Sequence, residues 1–118
     1  MVTLGLFGEE KRSSSVNLSF RIPYHTHWGE HLLVSGSHPI FGSSNVKRGL
    51  VLKPSHRDEE MIWSNTLRLP SGVRFEYSYF VVDDEKNVLR SEAGRRRKAA
   101  VPSDARNGLL VEFRDLWQ

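Results

Sequence analysis

The chain has 118 residues, a mass of 13.6 kDa and a formal net charge of +3. This length predicts one domain with its own core, and the absence of cysteine excludes disulfides and thiolate metal sites. Residues 1–15 are polar and Ser-rich, and we interpret them as a flexible leader before a domain over 16–118. No signal peptide or run of about 18 apolar residues is evident, so we expect a cytoplasmic protein without a membrane partner.

The positive charge is concentrated in one run, Arg95-Arg96-Arg97-Lys98. Outside this run, the acidic residues outnumber the basic ones by one. A nucleic-acid-binding surface usually spreads its cations over a whole face, because each phosphate contact adds to affinity. We therefore expect no nucleic-acid partner and interpret the run as part of a solvated strand.

The chain has the pattern of seven or eight short β-strands and no stretch with a good helical period. Residues 16–22 alternate apolar and polar side chains until Pro23, and residues 73–82 are rich in aromatic and β-branched residues. Such strands, separated by turn residues, predict an all-β fold, an antiparallel β-sandwich of immunoglobulin-like outline. The predicted strands are 16–22, 31–35, 49–52, 63–69, 73–82, 88–90, 98–101 and 109–114.

Motifs of catalysis are absent from the sequence. There is no nucleophile elbow and no Gly-rich phosphate loop before a helix, and Asp58-Glu59-Glu60 lie side by side in one loop. His25, His27 and His31 are close enough in sequence to suggest zinc, but no fourth ligand follows the pattern. We predict no enzyme activity for this chain alone, no metal and no cofactor.

The three tryptophans carry the functional signal. Trp28 lies in a polar connection beside a glycine, where it can either fill the core or present its face to a sugar ring. Trp63 opens a strand and is expected in the core, and Trp117 is expected to pack against the end of the last strand. The residues alone leave the two interpretations of Trp28 open.

Separated blocks of the sequence connect it to a known family. They are Trp28-Gly29-Glu30 with the following Leu32–Ser37 segment, Phe41-Gly42-Ser43, Ile62-Trp63, Phe75-Glu76-Tyr77, Leu89-Arg90-Ser91-Glu92 and Asp115-Leu116-Trp117. In order and spacing these blocks resemble the starch-binding modules of carbohydrate-binding family twenty. The resemblance covers about residues 16–118 and implies the starch-binding variant of the immunoglobulin-like sandwich.

Within that family, further blocks resemble the first of two tandem modules that precede the catalytic barrel of plant 4-α-glucanotransferases of maltose and starch metabolism. They are Thr26–Glu30, Asn45–Gly49, Leu52–Ser55, Tyr77–Asp84 and Asp115–Gln118. The resemblance implies a cytosolic, non-catalytic binding fragment whose full-length protein has a second starch-binding module and a catalytic domain downstream. Its partner is then an α-1,4-glucan or a heteroglycan.

The resemblance also implies two glucan sites. At the first site, the positions that usually hold tryptophan, lysine and tryptophan are Ser44, Ser78 and Ser91, and only Glu92 keeps its type. We therefore expect this site to be degenerate. At the second site, Trp28 and Trp63 match the family and His56 replaces another aromatic ring; Tyr24 and Glu30 flank Trp28 and complete the candidate set.

The sequence predicts a non-catalytic module that binds α-glucan through the second site. The alternative is a protein-interaction or assembly module that has lost sugar binding, as the three serines of the first site suggest.

Overall fold

A computed structural model describes residues 14–118 as two packed β-sheets. Within these residues there are nine strands, two short 3₁₀ helices and no α-helix, so no helix is long and apolar enough to cross a membrane. The predicted leader falls outside the described residues except for Ser14 and Ser15, and Ser15 begins β1. The strands are β1 Ser15–Pro23, β2 His31–Gly36, β3 Leu50–Val51, β4 Lys53–Arg57, β5 Glu60–Pro70, β6 Arg74–Val82, β7 Val88–Ser91, β8 Arg97–Ala100 and β9 Leu110–Arg114; the 3₁₀ helices are Pro39–Phe41 and Val46–Arg48.

The first sheet has the strand order β4-β5-β1-β9. The alternation read in the sequence of β1 buries every second residue, and the buried members lose all solvent exposure. β5 pairs antiparallel with the whole length of β1, from Ser15 opposite Pro70 to Pro23 opposite Ile62. β9 pairs with β1 in parallel, which only a long connection allows.

The second sheet has the order β3-β2-β6-β7, and β8 pairs with β6 beside β7. β6 repeats the period-two pattern, with Phe75, Tyr77, Tyr79 and Val81 buried. Phe20 of β1 joins the two sheets, since its ring lies 5.1 Å from Tyr77 at a tilt of 65°. The core is therefore a layer of aromatic rings between the inner faces of the sheets.

The predicted all-β sandwich is confirmed, with two differences of detail. One is β4, which lies between the predicted strands 49–52 and 63–69, where the sequence predicts no strand. β4 is an exposed edge strand, and an edge tolerates a proline because its outer N–H groups need no partner in the sheet. The other is the parallel pairing of β9, which alternation patterns cannot reveal.

Candidate functional site

A tight turn between β1 and β2 presents Trp28. The backbone N–H of Glu30 donates to the carbonyl of His27 at 3.1 Å, which makes Trp28 and Gly29 the central residues of a β-turn. Gly29 has φ of +80°, as the third position of such a turn requires. The turn points Trp28 out of the sandwich, and its side chain is fully exposed, at 102%.

Glu30 holds this turn in place. Its Oε1 accepts the backbone N–H of His27 and a guanidinium N–H of Arg90, both at 2.9 Å. These hydrogen bonds, first from Arg90 and then from His27, lower the pKa of Glu30. Arg90 Nε also donates to the hydroxyl of Tyr24 at 2.9 Å, and the Tyr24 ring packs on Trp117 at 4.7 Å. Tyr24 and Glu30 thus hold the turn through Arg90, and Trp117 packs on Tyr24 just after the end of β1.

The turn forms one wall of a groove of about 810 Å³, which we call the Trp28 groove. β4 and β5 form the opposite wall, because Pro54 lies opposite Trp63 and His56 opposite Met61 in their register. Trp63 lies at the floor, 2% exposed, and its Nε1 donates to the carbonyl of Tyr24 at 3.1 Å. The lining residues are His25, Thr26, His27, Trp28, Gly29, Glu30, His31, Pro54, His56, Met61 and Trp63.

The predicted second-site residues therefore meet in one place, in different roles. Trp28, His56 and Trp63 line the groove, and Glu30 both lines it and orients the turn. Tyr24 supports the groove without lining it. The combination of a free indole face with imidazole, proline and methionine surfaces suits a ligand that has apolar faces and a polar rim, such as a sugar chain.

The sequence groups His25, His27 and His31 but does not predict that all three line the Trp28 groove. His25 and His27 lie beside Trp28, with their rings 5.9 Å apart and perpendicular. His31 is engaged elsewhere, because its Nε2 lies 2.6 Å from Oδ1 of Asp84. Within residues 14–118, no group of three histidine, aspartate or glutamate side chains is placed to hold a metal ion.

The predicted first-site serines lie on the outer face of the second sheet or next to it. Ser78 alternates with the buried Tyr77 and Tyr79, so its side chain faces outward. Ser91 lies opposite Phe80 on that face. Ser44 adopts φ of +68°, and its Oγ accepts a hydrogen bond from Arg96 at 3.1 Å.

Glu92, in contrast, belongs to a buried ionic network. Its side chain is 3% exposed, and Oε2 accepts hydrogen bonds from Arg97 at 2.7 Å and from the backbone N–H of Gln118 at 2.9 Å. Oε1 accepts the backbone N–H of Tyr79 at 3.0 Å. With its carboxylate used inside the domain, Glu92 is a structural residue in this chain.

Asp115 completes this network from the C-terminal segment. Its Oδ2 accepts the hydroxyls of Tyr77 and Tyr79, both at 2.8 Å, and Oδ1 lies 3.4 Å from Arg97. Burial, together with the nearby Asp115, raises the pKa of both tyrosines. Arg97 is 14% exposed, so the interpretation of the whole basic run as a solvated strand is wrong for this residue. Strand alternation turns Arg97 inward while Arg96 and Lys98 face solvent.

Comparison with known proteins identifies the family to which this two-sheet fold belongs. The family model described as "Starch binding domain" matches residues 15–110. The chain belongs to the starch-binding domain family. It is therefore a non-catalytic binding module, as predicted.

This starch-binding domain is similar in sequence to part of a plant enzyme and in structure to domains of a glucoamylase and an amylase. It is 49% identical over 109 residues to the 4-alpha-glucanotransferase DPE2 of rice, a match that covers 92% of this chain and 12% of the enzyme. A glucoamylase from Hypocrea jecorina superposes with a TM-score of 0.80 at 24% identity, over 91% of this chain and 18% of that one. The family 20 carbohydrate-binding module of a maltotetraose-forming amylase from Pseudomonas saccharophila gives 0.64 at 17% identity, over 82% and 99% of the two chains. The structural matches establish the fold, and the chain spans about one eighth of the rice enzyme.

Proposed function

We propose that this starch-binding domain binds a linear α-glucan in the Trp28 groove. The observation that carries the proposal is the fully exposed indole of Trp28, which stands over a groove with an apolar floor. An exposed tryptophan gains nothing for the core, whereas its face can cover the axial C–H groups of a glucose ring. His56 and Pro54 lie on the opposite wall, so a sugar chain in the groove contacts both sides.

The proposal includes the setting of the domain. In this proposal the domain precedes a second starch-binding module and the catalytic domain of a cytosolic plant 4-α-glucanotransferase. The 49% identity to the rice enzyme supports this setting. There it holds a starch chain, a maltooligosaccharide or a heteroglycan near the catalytic domain. The binding chemistry depends only on residues of this chain, so the domain itself can be tested.

The test is a titration with maltoheptaose, followed by calorimetry and by tryptophan fluorescence. We expect saturable binding that quenches or shifts the tryptophan emission, because a bound sugar chain covers the fully exposed indole of Trp28. Trp28→Ala should abolish this binding, and Trp28→Phe should keep part of it because a smaller ring still stacks. His38→Ala is the control, because His38 lies outside the groove and caps a 3₁₀ helix.

The rival function, a protein-interaction module, makes the opposite prediction. Absence of any saturable signal up to millimolar maltoheptaose contradicts glucan binding and favours the rival. Binding that survives Trp28→Ala unchanged also contradicts the proposal, because it moves the site elsewhere.

We further propose that the first site is degenerate for neutral glucans. Ser44, Ser78 and Ser91 supply hydroxyls but no stacking face, and Glu92 is occupied within the domain. Replacing Ser44 and Ser91 together by tryptophan should create a second binding event in the calorimetric titration. A wild-type titration that already shows two equal sites contradicts this part of the proposal.

A further inference from the structure

A second groove lies on the outer face of β6 and β8 and shares no residue with the Trp28 groove. It encloses about 620 Å³, and its polar lining is Ser37, Arg74, Glu76 and Lys98. Glu76 lies opposite Lys98 in the strand register, and Arg74 lies two residues from Glu76 on the same face. We call this surface the β6–β8 groove.

The basic run of the sequence supplies two of the three cations of this surface, Arg96 and Lys98, and β6 supplies the third, Arg74. Arg97 is turned inward and fixed by Glu92 and Asp115, so the residues on either side of it must face outward. Lys98 lines the groove, and Arg96 lies beside it with Nη1 3.8 Å from Glu76. Arg96 also donates to Ser44, which connects the groove to the predicted first-site face. The buried ion pairs thus hold the exposed cations in position.

The charged side chains of the β6–β8 groove are mostly cations. Arg74, Arg96 and Lys98 are cations, and Glu76 is the only carboxylate within residues 14–118 that lies within 4.0 Å of any of them. The surface therefore carries about two positive charges in excess. A carboxylate brings one negative charge, whereas a phosphate monoester brings about 1.5 to 2 at neutral pH. The guanidinium groups also match phosphate geometry.

We infer that the β6–β8 groove binds a phosphate monoester carried on a glucan chain. The inference rests on the proposed function for the class of ligand, a glucan, and not on the Trp28 groove. Ser37 lines the β6–β8 groove and Ser78 lies on the same outward face of β6, where their hydroxyls can bind those of the sugar that bears the phosphate. Without aromatic side chains, this face of the domain cannot stack on a neutral sugar ring. Its cations instead bind the negative charge of a phosphate. A nucleic acid is disfavoured, because outside the basic run the chain has no excess of cations.

The test compares maltoheptaose with maltoheptaose that carries one 6-phosphate, by calorimetry at low salt. We expect the phosphorylated chain to bind about tenfold more tightly, which two exposed ion pairs supply. The triple variant Arg74→Gln, Arg96→Gln, Lys98→Gln should remove this advantage and leave maltoheptaose binding unchanged. The matched control, Arg48→Gln, Arg57→Gln, Arg106→Gln, lowers the net charge equally at three exposed positions elsewhere and should retain it.

The outcomes separate this inference from the proposed function. Equal affinities for the two chains in the wild type overturn the inference, as does equal loss of the advantage in both triple variants. Full competition by inorganic phosphate overturns it in favour of a simple anion site. If the phosphorylated chain binds through the three cations while maltoheptaose does not bind, the inference holds and the Trp28 proposal fails. If neither chain binds the wild type, both fail.

Discussion

The Trp28 groove and the β6–β8 groove are built on different parts of the fold. Trp28 lies in a turn fixed by Glu30 and Arg90, where no strand alternation constrains it. Arg74, Glu76 and Lys98 lie on strands, where each outward residue alternates with a core residue. A turn can therefore expose a large aromatic ring without removing a side chain from the core. On a sheet face, the position of each polar side chain depends on the packing of the core residues that alternate with it. Variants of the turn and of the core can show separately how each one affects stability and ligand binding.

The largest expected effect comes from Trp63, which belongs both to the core and to the Trp28 groove. Trp63→Ala should lower the free energy of unfolding by about 3–5 kcal/mol, because a buried tryptophan leaves a large cavity. Trp28→Ala is the matched control and should cost less than about 0.5 kcal/mol, as expected for an exposed side chain. Urea denaturation measures both. A large loss of stability in Trp28→Ala would make Trp28 a core residue.

Next in size is the buried network under the β6–β8 groove. Glu92→Gln should lower the free energy of unfolding by about 2 kcal/mol, because Arg97 loses a charged partner while buried. Glu112→Gln removes the partner of Arg114 at the same distance of 2.7 Å, but at an exposed site, and should change stability by less than about 0.5 kcal/mol. Maltoheptaose affinity should stay at the wild-type value in both variants. Equal stability of the two variants would contradict the structural role assigned to Glu92.

A smaller effect is expected at Gly29, which affects only the Trp28 groove. Gly29→Ala places a side chain at φ of +80° and should cost about 1 kcal/mol. Gly108→Ala meets the same strain at φ of +83°, and at both positions the added Cβ has no atom within 4 Å. Both variants should lose similar stability, but only Gly29→Ala should weaken maltoheptaose binding. Equal affinities in the two variants would show that the turn does not position Trp28.

The smallest effect concerns the pH dependence of the turn. The lowered pKa of Glu30 means that its carboxylate stabilises the fold above its reference value of 4.5, and that this contribution is lost as the pH falls through the folded-state pKa. Glu30→Gln should therefore be less stable than the wild type at pH 7, with the difference shrinking at pH 3. Glu59→Gln, in the exposed β4–β5 turn, should match the wild type at both pH values. A difference for Glu30→Gln that stays constant with pH would exclude this ionic role.

The sequence predicted the fold where alternation is strong. Residues 16–22 and 73–82 lie in β1 and β6, and Trp63 is buried as expected. β4 was missed because exposed edge strands have no hydrophobic alternation to detect.

The candidate site was only partly predictable, because long-range contacts decide it. The family resemblance found Trp28 and His56, but the exposure of Trp28 depends on contacts from Glu30 and Arg90, which are 60 residues apart in sequence. The structural use of Glu92 depends on Arg97 and on the backbone of Gln118, which only the fold brings together. Residues 95–98 are four consecutive cations, so the sequence of the run does not distinguish Arg97 from its neighbours.

The parallel pairing of β1 with β9 has a mechanical consequence. Because the two strands run in the same direction, the start of β1 at Ser15 and the end of β9 at Arg114 lie at opposite ends of the ladder. Tension applied between these points shears the hydrogen bonds of the ladder together instead of opening them one by one. Two hydrogen bonds anchor the segment after β9: Arg97 donates to the carbonyl of Leu116, and Glu92 accepts the backbone N–H of Gln118. The domain should therefore resist pulling along its strands, and force spectroscopy should find its unfolding slow under load.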